Sequence, residues 1–580
     1  MNDLPDSSHE IALRLRLLEK RLGEMERRLD ALEHPLAEPW PQPSEEIAAA
    51  ALAAAAIAAE PPAQPGNLFT VFGKALLGIA GAYVLRAVEE TGAMPQLTVA
   101  AIGIVYAFFW LIWAARVQSG PRLSSSIYAG TSALILAPML WELTLRFHVL
   151  PAVGAAMLIC AFALAAMALT FFAPKSFAPR DLKPVLRVTL IATAAFALGA
   201  AIVSHVFLPF VAVLLLLAAV CEFAPGSARV PDGCAIIALA ADAAIWVLVY
   251  VYFDGLSTGP GYPALGRMAL LAPGIAIFLL FAVSIAWKTM LRGQPIASFT
   301  TLQAIIAFLL AAVSMADFGP PNGMEIFGAI CLLLSAFCYT ALFLVFARAS
   351  EPRNKIVFAA WAAALLLSGS FFSLPPLIAI LLLGASALAA MWLSRRQDWT
   401  IFEYYSMAFL LAAAAASGLP GLLVSALVGI PAGAPAAGVW PIAICAVLCY
   451  GLAPARPRER WIPQALHLGM AALAAGSLLA LLINGLVALT GIAVALGAHH
   501  VALIRTVALC AAALALVSGG ARWLRLELTR LGYAAIALVA IKLVTEDLRL
   551  GHLAYIAASI FLLAFTLIAA PRVARARQQT

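Results

Sequence analysis

Charged residues are scarce in this chain. Of its 580 residues, 11% are Asp, Glu, Lys or Arg and 64% are hydrophobic, whereas about a quarter of an ordinary soluble protein is charged. After Asn67 no polar stretch is long enough to fold as a separate soluble domain. These shortages exclude a mainly soluble protein and predict an all-α fold, a polytopic transmembrane helical bundle.

Motifs of known chemistry are also lacking. The sequence has no GxxxxGK[ST], HExxH, GxSxG or Asn-x-Ser/Thr pattern. Its eight cysteines lie in or at the ends of apolar runs without CxxC spacing, and Cys445 and Cys449, at i and i+4, are interpreted as small packing residues. The breaks predicted outside are too short for a catalytic lobe. We therefore assign no catalytic, cofactor-binding or metal-ligating residue.

A heptad pattern occupies residues 11–34, after a disordered stretch at 1–10 and with no cleaved signal peptide visible. The g positions are all arginine and the e positions all glutamate, which favours a parallel pair over an antiparallel one. We predict a short cytoplasmic coiled coil that makes the chain a homo-oligomer. The alternative is a helix that packs on another protein. The seam consists of Leu15, Leu18, Leu22, Met25, Leu29 and Leu32.

Pro35 ends this helix, and residues 35–67 form a Pro-rich and then Ala-rich linker. Residues 68–571 are the predicted transmembrane domain, and 572–580 a basic cytoplasmic tail. Within the domain about eighteen apolar segments are long enough to cross a bilayer. They begin near residues 68, 94, 125, 149, 184, 206, 234, 265, 298, 324, 355, 375, 401, 436, 463, 501, 531 and 551.

The positive charges predict the orientation of these segments. With the amino terminus inside, twenty-three Lys and Arg residues fall in inner breaks, and this bias puts both termini in the cytoplasm. It also explains the net charge of +7 without a nucleic-acid partner. The outer breaks or their edges hold Arg86, Arg146, Arg267, Arg505 and Arg549.

The Pro- and Gly-rich stretch at 419–435 interrupts this regular series. The count holds only if this stretch does not cross by itself, which suits a broken or re-entrant segment. Such segments line binding sites in some transporters, although a packed structural loop is the commoner case.

Ionisable residues at membrane depth are the candidate functional residues, because they are costly there. Asp242 is the deepest carboxylate, either structurally paired or neutral, or else part of a proton or substrate relay. Lys542 has Glu546 and Asp547 further along its span. Its ammonium is expected to snorkel or to pair with Glu546; a sharper hypothesis pairs it with Asp242 in a polar cavity.

Four acidic residues, one of them with an arginine neighbour, are interpreted as interface residues. Glu142 and Arg146 are expected to pair at i, i+4 near an outer edge. Glu222 is near an inner edge, and Asp317 and Glu325 flank an outer turn.

The first span, LFTVFGKALLGIAGAYVLRAVEETG, and the closing block, RLGYAAIALVAIKLVTEDLRLGHLAYIAASIFLLAF, resemble bacterial membrane proteins of domain-of-unknown-function family 2339. By that likeness Lys542 and Asp547 match the family's terminal block, and Gly73, Gly78 and Gly81 match its first helix. Glu546 and the Pro-broken region depart from the common form. The resemblance implies the fold and a bacterial inner membrane, but no activity.

These observations lead to two functional hypotheses. The first is an inner-membrane component that organises the cell envelope or binds an envelope protein, with membrane lipid around it. The alternative is a transporter or flippase of an amphipathic substrate that uses Asp242 and Lys542. An intramembrane transferase is a weaker third possibility.

Overall fold

The computed structural model describes residues 65–576, except for 92–93, 117–121, 173–181, 225–230, 254–260, 345–351, 398, 429–434, 455–460, 494–496 and 551. The predicted coiled coil at 11–34 lies outside the described residues, as does most of the linker. All regular structure in the described part is helical. This fits a chain in hydrocarbon, where each backbone N–H and C=O needs a partner within its own segment.

Nineteen α-helices are numbered here in chain order. The first nine are α1 Pro65–Glu90, α2 Gln96–Arg116, α3 Arg122–Trp141, α4 Ala152–Phe172, α5 Lys183–Ser204, α6 Leu208–Phe223, α7 Pro231–Tyr252, α8 Arg267–Ala286 and α9 Ser298–Phe318. The others are α10 Gly323–Leu344, α11 Pro352–Ser373, α12 Pro376–Gln397, α13 Ile401–Ala416, α14 Leu419–Leu427, α15 Val439–Leu452, α16 Trp461–Ala493, α17 Ala498–Arg522, α18 Leu526–Lys542 and α19 Leu553–Ala576.

Three short π-helical turns extend α3, α8 and α18. They comprise Glu142–Arg146, Trp287–Leu291 and Leu543–Asp547, and the last continues into one α-helical turn, Leu548–Leu550. A π turn widens the hydrogen-bonding step from i→i+4 to i→i+5, and such turns are frequent at functional sites.

Fifteen helices of the described part are long and apolar enough to cross a membrane, and the bent pair α13–α14 raises that number to as many as sixteen. Two further apolar helices, α6 and α15, are shorter. All the predicted segments begin within five residues of a helix start. A multi-pass helical membrane fold is therefore confirmed, whereas the number of crossings stays a prediction.

The helices pack around two large apolar cores. The first draws most of its buried side chains from α1 to α9, and the second from α11 to α16. The last three helices pack mainly on one another, with α17 against both α18 and α19. Asp242 in α7 belongs to the first group and Lys542 in α18 to the last, so the fold places them in different parts of the bundle.

Close approach at small residues positions the first helix. A Cβ added to Gly78 would lie 2.7 Å from Cε2 of Trp110 in α2, and one added to Gly81 would lie 2.6 Å from the Tyr106 hydroxyl. No atom of the described residues lies within 4 Å of a Cβ added at Gly73. Two of the three glycines of the first span therefore permit helix packing, as small residues commonly do in membranes.

Candidate functional site

The site begins at a sharp bend between the helices α13 and α14. Gly418 has φ of +74°, a conformation that residues with a side chain rarely adopt, and the two helices meet at 70°. At nine residues, α14 is only about 14 Å long, too short to cross a bilayer. The bend and the short α14 fit a broken or re-entrant segment, and that this stretch does not cross by itself stays a prediction.

The carboxyl end of α14 is bound by Arg505 of α17. The Arg505 side chain is 1% exposed, and its Nε donates to the Ala426 carbonyl at 2.6 Å while Nη2 donates to the Ser425 carbonyl at 3.1 Å. The last carbonyls of a helix have no partner within the helix and carry partial negative charge. The buried guanidinium of Arg505 donates hydrogen bonds to these carbonyls and also supplies a positive charge next to them.

The same guanidinium continues into an ion pair. Its Nη1 donates to Oε1 of Glu546 at 2.6 Å, and the Glu546 side chain is 25% exposed. Glu546 Oε2 lies 3.5 Å from Lys542 Nζ. Arg505 therefore binds two backbone carbonyls and one partly exposed carboxylate.

The Lys542 ammonium is buried and has a hydrogen-bond acceptor for each of its three N–H groups. Its Nζ donates to Asp547 Oδ1 at 2.6 Å, to the Ala502 carbonyl at 2.8 Å and to Thr506 Oγ1 at 2.9 Å. Thr506 in turn donates to Asp547 Oδ2 at 3.3 Å. Lys542, Thr506 and Asp547 are each at most 6% exposed, so this ammonium does not snorkel to water.

These charges form one balanced network, which we call the α17–α18 network. Its members are Arg505, Thr506, Lys542, Glu546 and Asp547, and its two cations face two carboxylates. Balance matters because removing one member of a buried pair leaves an uncompensated charge, which costs about 3–5 kcal/mol. The network is held by α17, by α18 with its π turn, and by the end of α14.

The structure brings together three of the four predicted polar site residues, namely Lys542, Glu546 and Asp547. The expected pairing of Lys542 with Glu546 is present, although Asp547 is the nearer partner. The sharper hypothesis, a pair between Lys542 and Asp242, is wrong. Asp242 is 6% exposed and accepts a hydrogen bond from Gln303 Nε2 of α9 at 2.5 Å. Among the described residues its Oδ1 has no hydrogen-bond partner.

Arg505 and Thr506 were missed as members of the site by sequence reasoning. One signal was present, since Arg505 is among the few arginines on the side predicted to be outside. Arginines that break a charge bias are candidates for buried pairs. Arg86 also has an ion-pair partner, since its Nη2 lies 2.8 Å from Glu142 Oε1, but this pair is partly exposed.

Each π turn of the described part contributes to an ion pair. In the three turns Glu142 pairs with Arg86, Lys288 pairs with Glu222 and Asp547 pairs with Lys542. The predicted Glu142–Arg146 pair is present only at 4.0 Å, so Arg86 is the nearer partner. Glu222 also accepts a hydrogen bond from Ser284.

A second buried polar cluster lies nearer the side predicted to be inside. Glu403 of α13 is fully buried, accepts a hydrogen bond from Ser394 at 3.1 Å and lies 3.3 Å from His467 Nε2 of α16. The other ring nitrogen of His467 lies 4.0 Å from Glu527. This cluster was also missed, because single acidic and histidine residues near helix starts carry no spacing signal.

Comparison with known proteins adds no relative: the chain matches no protein-family model, no curated protein and no solved structure. Within the described ranges no group of three or more His, Cys, Asp or Glu side chains is arranged to hold a metal ion.

Proposed function

We propose that the protein is a transporter or flippase of the bacterial inner membrane that moves an amphipathic substrate with an anionic group. The observation that carries this proposal is the contact of Arg505 with the end of the broken segment α13–α14. In several transporter folds, interrupted helices supply backbone groups to sites at membrane depth. Intramembrane charges are rare and typically mark substrate or ion pathways.

Partial exposure of Glu546 suggests how an anion would enter. Arg505 keeps its two carbonyl partners, while its third donor, Nη1, points to Glu546. A substrate phosphate or carboxylate would replace the Glu546 carboxylate at this donor, since guanidinium groups bind both anions with similar geometry. The Lys542–Asp547 pair, which is more deeply buried, would stay closed and hold α17 to α18.

The orientation in the membrane and the family membership are proposed from the sequence. About eighteen crossings with both termini in the cytoplasm would place the α17–α18 network toward the outer face. Membership of family 2339 is proposed on the first span and the closing block. Asp242 would then be a structural residue of the first core, rather than part of the substrate site.

Reconstitution in liposomes tests the transport proposal. The probes are nitrobenzoxadiazole-labelled phosphatidylglycerol and phosphatidylethanolamine, and the readout is the fraction of label reduced by external dithionite. We expect the wild type to expose label from the inner leaflet, Arg505→Ala to stop this, and Arg549→Ala, an exposed arginine after the π turn, to leave it unchanged. Equal label exposure with wild type, Arg505→Ala and protein-free liposomes would overturn the proposal.

A second candidate function, organisation of the envelope through a partner protein, is favoured by the heptads at 11–34. Arginine at every g and glutamate at every e position support a parallel homo-oligomer that presents one cytoplasmic surface. Leu22→Cys should give a cross-linked dimer in membranes. Mass spectrometry of full-length protein beside a version without residues 1–35 separates the functions: an organiser loses a stoichiometric partner, whereas a transporter keeps its bound lipid in both.

A further inference from the structure

An amphipathic cavity lies far from the α17–α18 network, between α1, α2 and α3. Its volume is about 280 Å³, and its lining is apolar except at one end, where Arg86 and Glu142 face it. The apolar part includes Ala82, Gly103 and Leu134. A cavity with one charged end and apolar walls has the polarity of a lipid, not of a soluble metabolite.

A second groove adjoins this cavity on the other side of α3. It measures about 680 Å³, within the usual range of about 300–1,000 Å³ for small-molecule sites. It lies between α3 and α5, and Leu134, Pro138 and Glu142 line both spaces. The two spaces therefore flank one ridge and share one polar end, which is the arrangement that two acyl chains below one headgroup require.

The charges at the shared end match a zwitterionic headgroup. Arg86 Nη2 and Glu142 Oε1 lie 2.8 Å apart, and the two side chains are 38% and 28% exposed. Both are therefore reachable from the lipid headgroup region, where the pair is predicted to lie. A phosphate would bond Arg86, and a primary ammonium, which has three N–H donors, would bond Glu142.

We propose that this double groove is a binding site for a phospholipid with a phosphoethanolamine headgroup. One acyl chain occupies the cavity between α1, α2 and α3, and the other lies in the groove between α3 and α5. The phosphate contacts Arg86 and the ammonium contacts Glu142. Glu142, the first residue of the π turn that extends α3, lines both spaces.

Phosphatidylcholine provides the chemical contrast. Its quaternary ammonium has no N–H, so it cannot donate a hydrogen bond to Glu142. Phosphatidylglycerol lacks the cation altogether and leaves Glu142 without a positive partner from the ligand. The site should therefore rank phosphatidylethanolamine above both, although all three share the phosphate and the acyl chains.

The test is lipid binding measured by native mass spectrometry. Purified full-length protein is stripped of lipid and offered equal amounts of phosphatidylethanolamine, phosphatidylglycerol and phosphatidylcholine. We expect wild type to retain phosphatidylethanolamine preferentially. We expect Glu142→Gln to lose this preference and Arg86→Gln to lose at least about tenfold in affinity, because it removes a charge-assisted hydrogen bond to the phosphate.

Two pairs of variants keep the result interpretable. Ala82→Phe fills the cavity without touching the charged pair, while Ala87→Phe adds the same ring on an exposed position of the same helix. Only the former should reduce retention. Arg146→Gln, 65% exposed and outside both linings, should retain the lipid preference. Equal retention of the three lipids by wild type, or no loss in Ala82→Phe, would overturn the proposal, whether or not the protein transports lipid.

Discussion

Lys542 and Asp547 are five residues apart in sequence, yet Nζ and Oδ1 are 2.6 Å apart. On a regular α-helix, positions three or four apart share a face, and a residue at i+5 points elsewhere. The π turn Leu543–Asp547 removes this offset. It places the second carboxylate of the closing block on the buried side, while Glu546 stays at the edge and meets Arg505.

Loss of Lys542 should destabilise the protein more than loss of an exposed cation. Lys542→Ala leaves Asp547 as a buried carboxylate without its cation, and we expect a decrease of about 3–5 kcal/mol in the free energy of unfolding. The double variant Lys542→Met/Asp547→Leu should recover most of this loss. Equilibrium unfolding in mixed micelles measures both, with Arg549→Ala as the control. Additive losses in the double variant would contradict the pairing.

Arg505→Lys should release the end of α14 even though it keeps the charge. A lysine has a single ammonium and cannot reach Ala426, Ser425 and Glu546 with the fixed fork of a guanidinium. We expect a cysteine placed at Ser425 to react faster with a membrane-impermeant maleimide in this variant.

The matched control for this labelling is Arg525→Lys. Arg525 also binds helix-end carbonyls, those of Tyr450 and Ala453, at 3.0 and 3.1 Å. It does so at the end of α15, so its replacement should not change labelling at residue 425. Equal labelling rates in wild type and Arg505→Lys would argue against the hydrogen bonds of Arg505 as the contact that holds the end of α14.

Asp242→Asn should fold as well as the wild type. Within the part of the chain that the structure describes, Asp242 Oδ1 and Gln303 Oε1 both lack hydrogen-bond partners. An amide at residue 242 can donate to Gln303 Oε1 while still accepting from its Nε2. We expect unfolding free energies within about 1 kcal/mol of each other, since one net hydrogen bond contributes that much. Asp242→Ala should lose more, because it leaves the buried Gln303 amide without an acceptor.

Substitution of two glycines in the first span should show which of them packs against another helix. Gly78→Leu places side-chain atoms where the Trp110 ring lies, whereas Gly73→Leu meets open space. We expect Gly78→Leu to lower the midpoint of thermal unfolding in detergent and Gly73→Leu to leave it near the wild-type value. A similar fall for both would mean that α1 does not pack on α2 as described.

Sequence reasoning located the helices well, because an apolar run bounded by Pro, Gly or charge is a local signal. It also located Lys542, Glu546 and Asp547, because charges in apolar runs stand out. It failed to identify their partners. Arg505 and Ala426 are 79 residues apart, and no periodicity within one helix reports which other helix it will contact.

The π turn also limited the prediction of the partner of Lys542. Regular helix geometry puts Asp547 about one and a half turns beyond Lys542 and makes Glu546 the expected partner. One widened turn reversed the order of the two distances. The mistaken Asp242–Lys542 pair has a different origin: both residues lie deep in separate spans, but depth alone does not give helix neighbours.

The tie between Arg505 and α14 also orders the biogenesis of the protein. The carbonyls of Ser425 and Ala426 receive their side-chain donors from a residue synthesised about eighty positions later. Until α17 enters the bilayer, the broken segment has an unsatisfied polar end, which lipid cannot cover. We therefore expect α14 to reach its final position only after α17 has been synthesised and inserted.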